Sequence, residues 1–290
     1  MKKILALILA ALMCFSMVAF ASCNGNDDDD DDKPGADKVQ IGVQTGTTGQ
    51  YYVNGDVDWD FPGIDGYEAK GYDNGGLAIQ ALLNGNVKYV IIDEQPAKQL
   101  AKVNAGVKVI NVPLTVEEYA FGVDKAQPEL RTQINDIITE IKNNGKLDEI
   151  VTAYATGAAR PPIESAEYDA SKNQFVVATN AAFAPFEYKE GNNYLGIDME
   201  IAKYIADVLG MELVIKDMDF NSVVTSVGIN GVDVAMAGLT VNAKRQESVD
   251  FTDSYYNAAQ MLIVPAANTA FDNCTNAAEV LAVLKSELGE

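Results

Sequence analysis

The stretch AMAGLTVNAKRQESVDFTDSYY, residues 235–256, decides how this chain is read. A largely apolar run over residues 232–236 stops abruptly at Ala237 and Gly238, as a buried strand does where something must approach its backbone. Thr240 and Asn242 are helix N-cap types, and residues 243–247 can form the first turn behind them. Backbone amides, a hydroxyl and the Arg245 guanidinium therefore converge at one strand end. Such a group suits a carboxylate, because Arg245 offers a planar fork for paired hydrogen bonds and the amides add further donors. The plainer alternative is a surface strand-turn-helix with an ordinary salt-bridging arginine.

Working outward, residues 39–43 read as a strand running into a Gly/Thr loop, QTGTTG at 44–49, and a helix start. A strand, a loop rich in Gly and Thr and a helix N-terminus make an anion-binding nest, though no G-K-[ST] follows and it is not a P-loop. Residues 88–92 read as a buried strand ending at Asp93 and Glu94, with Pro96 placed to open a helix. A carboxylate there faces the crevice of an open α/β sheet; the alternative is that Asp93 only caps the helix. An apolar face (Leu130, Ile134, Ile137, Ile138, Ile141) marks a helix over 129–144 that Gly145 stops. Further helices are expected over 196–209 and 276–286, and a strand over 175–178. Residues 54–73, which carry the only tryptophan, Trp59, read as a loop insertion without assigned function. An internal echo supports two similar lobes. Asn84 and Gly85 precede the strand ending at Asp93, as Asn230 and Gly231 precede the strand ending at Gly238.

The opening stretch resembles the ligand loop of the extracellular solute-binding proteins of family 3, the amino-acid receptors of ABC importers. The residues that carry the resemblance are Gly238, Leu239, Thr240, Arg245 and FTDSYY at 251–256, and family-like segments cover most of residues 39–265. The resemblance implies an α/β, two-lobed periplasmic-binding-protein-like fold (type II), each lobe a central sheet flanked by helices. It implies that Gly238, Thr240, Arg245 and the Thr47–Thr48 loop take a ligand α-carboxylate and that Asp93 takes its α-ammonium. Phe183 and Phe220 match the aromatic walls around the ligand side chain; the alternative for both is plain core. Asn180 stands where members that take cationic amino acids carry aspartate, which favours a polar uncharged side chain unless another carboxylate, such as Glu187, turns inward. No cofactor and no catalytic residue is implied. The expected partners are a free amino acid and a membrane permease with its ATPase.

The family-like segments occur in reversed order, so a circular permutation is expected. Lobe 2 would hold 39–118 plus 266–290, lobe 1 would hold 119–265, residues 155–172 would join the family's usual ends, and the hinge would cross near 118 and 266. A monomer is expected; the rival is a pair of half-proteins that must dimerise to complete a cleft.

Composition narrows the classes. A formal charge of −21 excludes a polyanion such as DNA as partner, and 48% apolar residues mark a folded chain. The chain has no histidine, which removes imidazole metal sites and Ser-His or Cys-His catalysis. A dehydratase-like enzyme on this fold would need a carboxylate such as Asp93 or Glu187 as its base; a sensory lipoprotein is a further alternative. Lys2 and Lys3 precede an apolar run, the layout of a signal peptide over 1–22. FASC at 20–23 resembles a lipobox, with Cys23 lipidated and anchored in the outer face of the cytoplasmic membrane. Residues 23–38, with aspartate at every position from 27 to 32, read as an extended acidic linker. Cys14 would leave with the signal and Cys23 carry lipid, so Cys274 stands alone.

Overall fold

The computed structural model describes residues 38–289; the expected signal peptide, Cys23 and the aspartate run lie outside the described residues. Strand β1 (Val39–Gln44) feeds helix α1 (Thr48–Asn54). After a 3-10 turn at Val57–Trp59 comes β2 (Tyr67–Tyr72), parallel to β1 along its whole length. The stretch expected to be a loop insertion thus contains an edge strand. Its sequence, YEAKGY, buries only Tyr67, so no alternation advertises it. Helix α2 (Gly75–Leu83) begins on Asn74, whose side chain accepts from the Leu77 amide. It leads to β3 (Tyr89–Asp93), buried at every residue as a central strand must be. Helix α3 (Glu94–Val103) and the short β4 (Val107–Val109) complete this lobe's first run.

The chain then crosses through β5 (Glu117–Tyr119) to β6 (Gly122–Val123). Helix α4 (Pro128–Asn143) buries the five apolar residues its periodicity marks, and α5 (Lys146–Thr156) ends at Gly157, a left-handed cap. Residues 157–172 lie along the second lobe. Ile163 pairs with Tyr194, and the Arg160 guanidinium bridges Glu149 and Glu200. Next come β7 (Gln174–Thr179), a small antiparallel sheet of β8 (Ala182–Phe183), β9 (Glu187–Glu190) and β10 (Asn193–Leu195), and α6 (Ile197–Leu209). Then follow β11 (Glu212–Asp217), α7 (Phe220–Val223), β12 (Val234–Ala235), α8 (Ala243–Gln246) and β13 (Asp250–Phe251). Strand β14 (Tyr256–Ala258) returns to β15 (Gln260–Pro265), and α9 (Ala277–Ser286) follows.

Two five-stranded sheets result, ordered β2-β1-β3-β15-β4 and β11-β7-β12-β6-β13. They share one plan. In each, the second position runs parallel to the first and third, and the fourth runs antiparallel to both of its neighbours. In each, the antiparallel strand comes from the other half of the sequence. Strand β15 pairs with β3 and β4, so residues 260–265 belong to the first sheet rather than to lobe 1, where the sequence reading put them. The second crossing is therefore β14, which pairs antiparallel with β5, and not a point near 266. A fully buried apolar strand such as QMLIVP does not reveal which sheet it joins.

Helix α9 packs on the first sheet: the Tyr67 hydroxyl donates to the Leu284 carbonyl at 2.8 Å, and Lys88 pairs with Glu287 at 3.1 Å. Leu288 touches Gly66, whose carbonyl receives the Val39 amide, so the helix end lies beside the start of β1.

Candidate functional site

The loop after β12 and the loop after β1 meet where the two lobes face each other. Gly46 adopts φ +79°, and a Cβ there would stand 1.9 Å from the Asn221 side-chain oxygen of the other lobe. Only glycine allows so close an approach. Gly238, at φ +53°, similarly lets the Phe183 ring come to 3.0 Å from the position of a Cβ.

Asn242 caps α8 as expected, its side chain accepting from the Arg245 amide at 2.9 Å. That cap presents Arg245 to the interior, where it is 8% exposed. Its Nη1 donates to the Thr240 carbonyl at 2.9 Å and its Nη2 to the Gly46 carbonyl, across the lobes, at 3.4 Å. The guanidinium lies 5.1 Å from the Trp59 ring and 5.4 Å from the Phe220 ring. Among the described residues it forms no ion pair, and burial pulls its pKa down to about 10 against the opposing pull of Glu117 and Asp93. A cavity of about 190 Å³ opens beside it, lined by Gly46, Tyr51, Trp59, Phe220 and Asn221.

Asp93 does not serve as a helix cap; no side-chain capping bond forms at the start of α3. Its Oδ1 accepts from the Tyr119 hydroxyl at 2.5 Å and from the Gln260 amide at 2.9 Å. The same amide donates to Glu117 Oε1 at 3.1 Å, and Glu117 Oε2 accepts from the Thr240 hydroxyl at 2.6 Å. Thr240 in turn accepts from Thr48, so the two lobes are bonded hydroxyl to hydroxyl at 3.1 Å. Burial first, then the neighbouring Glu117, push Asp93 up to about 7. Thr240, Glu117 and Gln260 span the space between Arg245 and Asp93. Reading strand tips alone could not show that β5 turns Glu117 into that space.

The other expected residues divide. Gly238 is in place, but its amide donates to Asp198 Oδ2 at 2.9 Å and is not a free donor. Asp198 also accepts from the Tyr255 hydroxyl, and burial raises it to about 7. The Thr47 hydroxyl turns back to the Gln44 carbonyl at 2.8 Å, away from the Thr48–Thr240 contact. Asn180 joins the lobes by accepting from Gln44 Nε2 at 3.1 Å. Phe183 stacks on Phe186 and walls a second cavity of about 250 Å³ with Ile92, Pro96 and Leu100. Phe220 covers Arg245. Sequence reasoning missed Glu117, Gln260 and Tyr119 on the hinge side, and Trp59.

Glu187 is fully buried, and neither carboxylate oxygen has a hydrogen-bond partner. Burial raises its pKa well above the usual range, reinforced by Asp198 and Asp93. Among the described residues the buried charged side chains are thus Asp93, Glu117, Glu187 and Asp198 against the single cation Arg245.

Residues 175–287 match the family model for bacterial extracellular solute-binding proteins, family 3. The arginine-binding extracellular protein ArtP of Bacillus subtilis (strain 168) is 41% identical over 95 residues, which are 33% of this chain and 37% of that protein. The arginine-binding protein ArgT of Corynebacterium glutamicum is 26% identical over 122 residues, 42% of this chain and 40% of its own. The arginine-bound form of a truncated arginine-binding protein from T. maritima aligns with 38% identity and a TM-score of 0.28, covering 29% of this chain and 40% of that one. The chain thus spans at most about two fifths of the length of each of these three relatives.

Proposed function

We propose that the chain, whose residues 175–287 match the family model for bacterial extracellular solute-binding proteins, family 3, captures a free amino acid between its two lobes. The observation that carries this reading is Arg245. It is a buried guanidinium, held on backbone carbonyls and two rings, with no ion pair among the described residues. A ligand α-carboxylate completes it through the donors it has left, aided by Thr48 and Thr240. Asp93, with Glu117 beside it, receives the α-ammonium. Ligand contacts from both lobes favour the closed arrangement, and β5 with β14 acts as the hinge. The closed form is then offered to a membrane permease and its ATPase, with Cys23 as the lipid anchor outside the cytoplasmic membrane.

The ligand is a polar amino acid. A cationic side chain is the second reading, favoured by Glu187: a buried carboxyl without a partner, among four buried acids, is a site where an ammonium or guanidinium is compensated. The named binding of arginine by ArtP and ArgT points the same way, whereas Asn180 in place of aspartate points to a neutral side chain. The reversed lobe order is a circular permutation within one monomer, supported by the end of α9 lying beside the start of β1. A thermal-shift screen of the twenty amino acids tests the reading. A bound ligand stabilises by about 2.7 kcal/mol at a hundredfold excess over its Kd. No shift with any amino acid, alongside turnover of a prephenate-like acid, would favour the enzymatic alternative.

A further inference from the structure

The 54–63 loop lies outside the family pattern, and its own bonds hold it in shape. The Asp56 side chain accepts from the Asp58 amide at 2.9 Å, and Asp56 and Phe61 exchange backbone hydrogen bonds at 2.9 and 3.1 Å. Ile64 closes the loop onto Val53 at 2.9 Å. Its summit is Trp59, half-buried and stacked on Tyr51 with ring centroids 4.5 Å apart and planes 16° from parallel. The Arg245 guanidinium carbon lies over the Trp59 ring, 5.1 Å from its centroid. Lys244, held charged first by Glu247, also feels Asp58 and Asp56 of the same loop. The loop belongs to the first lobe, whereas Arg245 and Phe220 belong to the second.

We propose that Trp59 is a ligand-positioning residue: it clamps the Arg245 guanidinium against Phe220, fixes the fork at the carboxylate end of the site, and ties the two lobes together there. A guanidinium within about 6 Å of two ring centroids is attracted by both, and the N–H groups not taken by the Thr240 and Gly46 carbonyls remain for a ligand. Because the two rings belong to different lobes, holding the guanidinium against both draws the lobes together at this end. The clamp deepens the amino-acid reading and rests on it for its ligand, but its mechanical half stands without one.

The full chain tests it through its only tryptophan. In ligand-free protein, Arg245→Ala should shift the Trp59 emission, and Trp59→Ala should enlarge the radius of gyration in small-angle scattering while Trp59→Phe leaves it unchanged. With L-arginine and L-glutamine as titrants, Trp59→Ala should weaken whichever binds by about five- to thirtyfold, chiefly through faster dissociation, and Trp59→Phe should restore most of it. An unmoved emission in Arg245→Ala, an unchanged radius of gyration in Trp59→Ala, or unchanged affinity in Trp59→Ala overturns the proposal. If wild-type protein binds none of the twenty amino acids, the amino-acid reading fails instead, and emission and scattering still decide the clamp.

Discussion

Replacing Asp93 by asparagine should change how stability depends on pH. The carboxyl is buried, and its pKa stands at about 7 against 3.8 for the free side chain. A folded carboxyl that holds its proton more tightly than the unfolded one contributes its full stabilisation below about pH 4, in the protonated form. That contribution is lost as pH rises through about 7. A difference of roughly three pH units corresponds to about 4 kcal/mol at about 1.4 kcal/mol per unit. Asparagine keeps an oxygen to accept from Tyr119 and Gln260 but carries no titratable proton. Asp198, raised by burial, titrates in both proteins and largely cancels in the comparison, whereas Glu187 loses the push of the Asp93 charge in the variant. Urea unfolding at pH 5, 6, 7 and 8 should therefore show the variant gaining on wild type by about 1.4 kcal/mol per pH unit up to pH 7, then levelling off. Parallel curves over that range would refute the claim that Asp93 is held protonated by burial and by Glu117.

Arg245→Ala should cut ligand affinity by roughly two to four decades in calorimetry, since a desolvated charge pair that loses one member costs about 3–5 kcal/mol. Gly46→Ala should destabilise by about 1–3 kcal/mol in denaturant melts, because a Cβ meets Asn221 and the backbone is left-handed; Asn221→Ala should relieve only the steric share. Cys23→Ala should move the protein from the membrane fraction to the soluble fraction, as read by ultracentrifugation and immunoblotting.

Much of the architecture was legible because its signals are local. The α4 face repeats every three to four residues, Gly145, Gly157 and Gly210 stop helices in the left-handed region, and Asn242 sits where a cap is needed. What was hidden depends on pairing. Strand β2 has too little apolar sequence to show itself, and β15 carries no mark of its sheet. At the site, Asp93 could be picked out because it ends a buried strand, and Arg245 because it lies in the capped turn after one. Glu117 was hidden, because its burial beside the exposed Glu118 shows only in the folded strand β5. Trp59 had no such cue: it owes its place to a loop whose own internal bonds, not its periodicity, aim it. The Gly238 amide looked free because its partner, Asp198, lies forty positions earlier in the chain.

The traded fourth strands have a consequence for how the molecule can be divided. Strand β6 lies before the 157–172 segment yet completes the second sheet, and β15 lies after it yet completes the first. A cut anywhere in that segment would give two fragments, each holding a piece its sibling's sheet needs and lacking one of its own. Neither fragment could finish folding alone, and nicked protein should stay together until denaturant pulls both threads out at once.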